Sequence, residues 1–286
     1  MSVREIRRAA TDVLTTAGVE TPDVDATLLL AHVVGRTVGE LVLVDDLTDD
    51  QLSRFHELVR RRATREPLQH IVGRVQFGSV EVEVGPGVFI PRMETELLWS
   101  WGCEVLAAVA DPVVADLCSG SGALALALAD SVAGSTVHAV ELDPDALTWL
   151  RRNVSHLPQR VRDRVVVHQG DVRDPRILAG VSADLVVANP PYIPIGADLP
   201  VEVAEHDPVL ALFGGDDGMS VITPMIETIA RVLVPGGAVA IEHDDTTGAL
   251  VMAALDTSGD FEGISQMKDL SGRARFVSAR RAKMKP

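Results

Sequence analysis

Apolar positions in the first part of the chain recur at helical spacing. Over Ser2 to Thr16, the residues Val3, Ile6, Ala10, Val13 and Leu14 fall on one face. Pro22 can open a second helix with Ala26, Leu29, Leu30 and Val33 as its inner stripe, and Thr48 can cap a third that carries Leu52, Phe55, Leu58 and Val59. Helices this short cannot bury their stripes alone, so residues 1–70 are expected to pack as a small bundle domain. From Ile71 the period changes. Val75, Phe77, Val80, Val82 and Val84 are interspersed with glycine and polar residues, which predicts a hairpin and makes residues 71–90 a β connector. After the turn Gly85-Pro86-Gly87, a helix starts at Glu94 or Thr95 and continues through Trp99, Trp101 and Leu106.

Residues 91–286 then alternate short apolar runs with helical patterns. Strands are predicted at Val113 to Asp116, Val137 to Val140, Val165 to His168, Ala183 to Ala188 and Ala238 to Ile241, the last preceded by a Pro235-Gly236-Gly237 turn. Helices fall after Ala123, from Leu142 through Leu150, over Ile222 to Leu233, and over Thr246 to Leu255. This is the pattern of an α/β domain with a parallel sheet. Closing strands are predicted around Ile264 and over Ala274 to Ala279, the second antiparallel because Leu270-Ser271-Gly272 leaves room only for a turn. Pro194 to Gly218 is long and rich in proline, glycine and aspartate, and is expected to fold over the open rim of the sheet.

The chemistry gathers where the predicted strands end. Asp116-Leu117-Cys118-Ser119-Gly120-Ser121-Gly122 is a strand, a tight turn and a helix start, with glycines that let the backbone approach a ligand and free N–H groups behind them. Cys118 stands where a dinucleotide fingerprint has its first glycine. An adenosyl group carrying an amino acid, a dinucleotide, and a turn that serves only packing all remain open on this motif alone. Glu141 ends the next strand and can accept both hydroxyls of a ribose. Asp171, after the third strand, or its neighbouring backbone can read an adenine amino group, with Val172 as an apolar wall. Acids recurring after successive strands favour an adenosyl ligand. The fourth strand delivers Asn189-Pro190-Pro191-Tyr192. The Asn189 side-chain oxygen and the Pro190 carbonyl can take the two hydrogens of a planar nitrogen, Pro191 locks the turn, and Tyr192 adds a flat face.

Composition narrows the choices. The 286 residues are 47% hydrophobic, enough for a sizeable core, and carry a formal charge of -15, which argues against coating nucleic acid by bulk electrostatics. With no leader pattern and no apolar 18-mer, the chain is expected to be cytoplasmic and to make no membrane contact. Cys103 and Cys118 show no disulfide or zinc pattern. Neither Glu205-His206-Asp207 nor Glu242-His243-Asp244 has zinc-like spacing, so no metal is expected. The basic cluster of Arg54, Arg60, Arg61, Arg62 and Arg65 is either a solvated helix end or a contact for an RNA or protein partner.

Four stretches carry a resemblance. I-P-R-M-E-T-E at 90–96, D-L-C-S-G-S-G at 116–122, E-L-D-P at 141–144 and N-P-P-Y at 189–192 together resemble the protein-glutamine methyltransferases that modify peptide-chain release factors. P-L-Q-H-I-V-G at 67–73, A-L-F-G-G-D-D-G at 211–218 and V-P-G-G-A-V-A-I-E-H at 234–243 extend it over essentially the whole chain. The resemblance implies a class I adenosylmethionine-dependent methyltransferase sheet behind a helical substrate-recognition domain. The implied cofactor is S-adenosyl-L-methionine, leaving as S-adenosyl-L-homocysteine, and the implied partner is a release factor whose Gly-Gly-Gln glutamine enters beside the asparagine-proline turn. Carried over, Cys118, Ser119, Gly120, Ser121 and Gly122 form the cofactor turn, Glu141 is the ribose acid, Asp171 and Val172 flank the adenine, and Asn189 neighbours the cofactor. Asn189, Pro190, Pro191 and Tyr192 hold the substrate amide, with Asn189, Pro190 and Tyr192 in the catalytic role. A monomer without stable DNA binding is expected. The chain departs from the family's usual pattern at Met93, Cys118, Val172 and Asp244-Asp245-Thr246-Thr247, and no contact is carried over to that last run.

Overall fold

In the computed structural model, residues 2–269 and 271–283 are described; Leu270 in the expected closing turn and Lys285 in the tail lie outside them. The chain divides into two compact units, one of Met1–Arg74 with Leu199–His206, the other of Val75–Asp198 with Asp207–Pro286.

In the first unit, α1 (Val3–Thr16) begins with a capping box in which Ser2 and Glu5 satisfy each other's backbone donors. It packs with α2 (Pro22–Val34) and α3 (Asp49–Ala63), the latter capped by Thr48 and Gln51 in the same manner. Ile6, Leu14, Leu29, Leu30 and Phe55 meet in their shared core, whereas Val13, expected on the inner stripe, is exposed. A 3-10 turn (Val38–Leu43) and a short helix, α4 (Leu68–Val72), were not legible in the periodicity, and α4 carries the helical pattern past Ile71.

The arginine cluster is not uniformly solvated as a helix end would be. Arg62 is buried and donates to Asp25 at 2.7 Å and to Glu202 at 3.1 Å; Arg65 grips Glu202 through two bonds of 2.7 and 2.6 Å. Arg61 pairs with Glu66. Three of the five arginines are therefore neutralised inside the unit, and only Arg54 and Arg60 stay exposed. The Glu202 carboxyl is held down at about 2, first by the Arg65 hydrogen bonds.

The second unit opens with the hairpin β1 (Arg74–Phe77) and β2 (Val80–Glu83), then a 3-10 turn (Met93–Thr95) leading into α5 (Glu96–Leu106). There follow β3 (Val113–Leu117), α6 (Ala123–Ser131), β4 (Thr136–Glu141), α7 (Pro144–His156), the short α8 (Gln159–Arg162), β5 (Val165–Gln169) and β6 (Ala183–Ala188). After α9 (Val201–His206), which belongs to the first unit, come the short helix α10 (Val209–Leu212), α11 (Ile222–Val232), β7 (Leu233–Glu242), α12 (Gly248–Ser258), β8 (Phe261–Lys268) and β9 (Ala274–Arg281). The sheet order is β5-β4-β3-β6-β7-β9-β8. β5 through β7 run parallel, and β9 is antiparallel to both β7 and β8.

Alternate strand residues turn to opposite faces. Leu185, Val187, Ala238 and Ala240 meet the layer of α5, α6, α7 and the hairpin, while Val186, Ala188, Val239 and Ile241 meet α11 and α12. Helix α6 is apolar all round because every residue from Ala123 to Ala129 is buried; each of its three leucines contributes roughly 2 kcal/mol through that burial. The Pro235-Gly236-Gly237 turn expected before β7 is instead an irregularity inside it, where the pairing with β6 shifts register between Ala183 and Leu185. β4 lies on one side of β3 and β6 on the other, so the chain switches direction there and leaves a crevice beyond the strand ends. Among the described residues, no helix is long and apolar enough to cross a membrane.

Candidate functional site

The turn after β3 is held by its own backbone. Ser119 donates its N–H to the Val140 carbonyl at 2.9 Å and its hydroxyl to the Asp116 carbonyl at 3.0 Å, and the Gly122 N–H closes on Ser119 at 2.8 Å. Gly122, at φ 88°, caps α6 in a left-handed conformation, and a Cβ there would run into Leu150. Cys118 adopts the same region at φ 66°, although it carries a side chain. A Cβ at Gly120 would meet nothing within 4 Å, so open space lies against this part of the turn.

Glu141, at the end of β4, accepts the Gly120 N–H at 2.7 Å on one oxygen and the Asp143 N–H at 2.8 Å on the other. Burial raises its pKa and these backbone donors restrain the rise. Each carboxylate oxygen keeps a lone pair for a further donor. Asp116, at 1% exposure, differs: neither carboxylate oxygen has a hydrogen bond of ordinary geometry, and burial pushes the group up to about 7, with weak hydrogen bonding from Ser119 and Ala125 restraining the rise and the Glu141 charge adding to it. Both Asp171 oxygens are taken by Arg173 at 2.6 to 3.0 Å, which holds this carboxyl below its usual range. Val172 is buried, and its carbonyl accepts from the Thr228 hydroxyl at 2.7 Å.

Across the crevice, the Asn189 side-chain N–H2 donates to the Thr95 hydroxyl at 3.2 Å. With the amide nitrogen on Thr95, Oδ1 is the end turned away from that hydroxyl. Tyr192 donates its hydroxyl to Glu242 at 3.2 Å; burial first, and the Glu242 charge after it, raise the tyrosine far above its ordinary value and keep it protonated. Glu242, at 4% exposure on the end of β7, is pushed up to about 7 by burial, against hydrogen bonding from Thr95 and Tyr192.

Except for Glu242, which stands outside the lining, and Gly122, these groups line one cavity of about 260 Å³. Of the residues singled out in the sequence, Cys118, Ser119, Gly120, Ser121, Glu141, Asp171, Val172, Asn189, Pro191 and Tyr192 face it; Gly122 and the buried Pro190 stand behind the lining. Thr95 and Asp116 also line it without having been singled out. An acid at a parallel strand's C-terminal end was the available signal for Asp116 and for Glu242, whereas Thr95 reads only as a helix start. The Pro194 to Gly218 segment divides. Its stretch from Pro208 to Phe213 contributes to the lining, Asp207 pairs with Arg92, and Leu199–His206 belongs to the helical unit. Among the described residues, no group of three His, Cys, Asp or Glu side chains is placed to hold a metal.

Residues 5–73 match the family described as PrmC N-terminal domain, and residues 86–205 the family described as methyltransferase small domain. The release factor glutamine methyltransferase of Mycolicibacterium smegmatis is 49% identical over 286 residues, covering 98% of each chain. That of Corynebacterium glutamicum is 46% identical over 284 residues, covering 98% of this chain and 99% of the relative. The chain belongs to the release factor glutamine methyltransferases. As a member of that family it is a methyltransferase, and its sheet has the order and closing antiparallel strand described above. A solved 16S rRNA methyltransferase of T. thermophilus, in complex with AdoMet and guanosine, shares the fold with a TM-score of 0.51 at 21% identity, across 73% of this chain and 49% of that one.

Proposed function

We propose that this family member transfers the methyl group of S-adenosyl-L-methionine to the side-chain amide nitrogen of the glutamine in the Gly-Gly-Gln motif of peptide-chain release factors. The observation that carries the reading is the orientation of Asn189: with its N–H2 given to Thr95, Oδ1 remains as an acceptor for one amide hydrogen of the substrate. The other hydrogen is assigned to the Pro190 carbonyl by the order of the turn, although Pro190 itself is buried behind the lining, and Pro191 and Tyr192 shape the slot. Two oriented acceptors hold the planar nitrogen with its face toward the donor methyl; the N–CH3 bond forms as the S–CH3 bond breaks, its electron pair stays on sulfur, and one amide proton, acidified by the transfer, is released to solvent, so that position favours transfer without a strong base.

The residues on the opposite side suit the cofactor. S-adenosyl-L-methionine supplies a methyl on a sulfonium and leaves as S-adenosyl-L-homocysteine. The open space at Gly120 admits a ligand against the backbone, the remaining lone pairs of Glu141 suit ribose hydroxyls, and the unpartnered Asp116 carboxylate suits a cationic group. With both Asp171 oxygens on Arg173, reading an adenine edge falls to the backbone around Asp171, and Val172 supplies the wall. A translation factor as substrate is consistent with a cytoplasmic enzyme.

The test is a labelled-methyl assay offering purified release factors, a variant with the motif glutamine replaced by alanine, DNA, RNA and free glutamine, followed by mass mapping. Label on the release factor that disappears with the glutamine is expected. Label on adenine with none on protein would overturn the proposal.

A further inference from the structure

Three groups with no part in the cofactor side meet behind Asn189: Thr95 from the turn before α5, Tyr192 from the turn after β6, and Glu242 from the end of β7. Thr95 is buried and receives the Asn189 N–H2, so its single hydroxyl proton must go elsewhere. The Glu242 carboxyl accepts from the Tyr192 hydroxyl, and hydrogen bonding from Thr95 is among the influences that lower its pKa, so it is the acceptor we infer for the Thr95 proton. Its Oε1 lies 3.2 Å from Tyr192, whereas Oε2 has no hydrogen bond of ordinary geometry. A carboxyl so deeply buried, at the focus of two hydroxyls and distant in sequence from both, is costly to fold unless it does something.

We propose that Glu242 is a positioning residue: its carboxylate fixes the direction of the hydrogen-bond relay through Thr95 and so keeps the Asn189 oxygen turned toward the substrate. The inference rests on the amide-receptor reading above. An ionised carboxylate can only accept, which forces Thr95 to donate to it and to accept from Asn189. A protonated Glu242 can donate to Thr95 instead. Thr95 then gives its proton to the Asn189 oxygen, the amide turns over, and its N–H2 faces the N–H of the incoming glutamine. Other charges bear on the switch. Glu94 disfavours ionisation of Glu242 and Arg275 of β9 favours it; around Tyr192, Arg92 and Asp244 act in opposite senses. Burial lowers the pKa of His243, next along the chain, against the hydrogen bond to the Asp244 backbone.

Two measurements test this on the full chain. In protein carrying ¹⁵N-labelled asparagine, the Asn189 side-chain amide signals should shift with an apparent pKa near 7, the value to which burial pushes Glu242. That titration should vanish in Glu242→Gln and Thr95→Val and return in Thr95→Ser. On purified release factor, Glu242→Gln should lower kcat by roughly thirtyfold or more while the KM for S-adenosylmethionine changes less than about threefold, and the acid limb of the kcat profile should disappear. An Asn189 signal indifferent to Glu242, or a Glu242→Gln enzyme with wild-type turnover and an unchanged acid limb, overturns the relay. If the methyl acceptor proves to be something other than glutamine, the proposed substrate fails, and the amide titration still decides whether Glu242 sets the orientation of Asn189.

Discussion

Glu141 and Glu242 stand at the ends of β4 and β7, each less than a tenth exposed, and they are satisfied by opposite means. The two oxygens of Glu141 are taken by main-chain N–H groups of Gly120 and Asp143, donors that come with the turns and cannot rotate away. Glu242 depends on the hydroxyls of Thr95 and Tyr192, which can reverse, and one of its oxygens lacks a properly placed donor. Burial raises both carboxyls, and Glu242 is the one pushed up to about 7. The rim of the sheet therefore has one acid held by backbone donors and one held by side-chain hydroxyls that can rotate.

The contrast can be broken from either end. On the backbone side, Gly122→Ala imposes a strained φ and a collision with Leu150, which together should cost roughly 4 kcal/mol in urea unfolding and weaken S-adenosylhomocysteine binding in calorimetry. A variant as stable as wild type would show that the turn yields easily. On the side-chain side, Asn189→Ala should lower turnover about a hundredfold while cofactor affinity stays within about threefold. Equal losses in both would mean that Asn189 mainly holds the cofactor.

Next in size is a pH effect. The folded pKa of Glu242 lies above its ordinary value of 4.5, so its contribution to stability is complete below about 4.5 and is lost as pH rises through about 7. Glu242→Gln should remove that loss, gaining about 2 to 3 kcal/mol over wild type between pH 5 and pH 8. Asp116 titrates in both proteins, so the difference isolates Glu242; parallel stability curves would contradict the assigned burial cost. Smallest should be Cys118→Gly, which relieves a left-handed residue with a side chain and is expected to change stability by less than about 1 kcal/mol, because glycine also loosens the unfolded chain. A loss well beyond that would indicate that the Cys118 side chain supports the turn by packing.

The same contrast explains what could be read from the sequence. β3, its turn, α6 and Glu141 were legible because their signals are local: an apolar run, two glycines, a second apolar run, and an acid about twenty residues on. Even there the strand continues one residue beyond Asp116, to Leu117. Asn189 was legible as a candidate, but its orientation was not, since the hydroxyl that sets it is 94 residues away. Glu242 was noticed only as one of two acid-histidine clusters, and the tyrosine that bonds it is 50 residues distant. The pairing of Arg62 and Arg65, at and just beyond the end of α3, was not legible for a related reason: only the folded chain brings a buried aspartate and a remote glutamate to them.

That remote glutamate bears on how the protein is made. Arg65 and its acceptor Glu202 are 137 residues apart, and α9, which carries the glutamate, is grouped with the amino-terminal helices although most of the sheet is encoded in between. During synthesis α1, α2 and α3 can assemble early, since their contacts are local. At that stage Arg62 has Asp25, while Arg65 still awaits its counter-ion. The first unit to emerge from the ribosome is thus the one that is finished late, after β3 to β6 have followed it out, and an isolated fragment ending at Arg74 would lack the anion that its last arginines are built to hold.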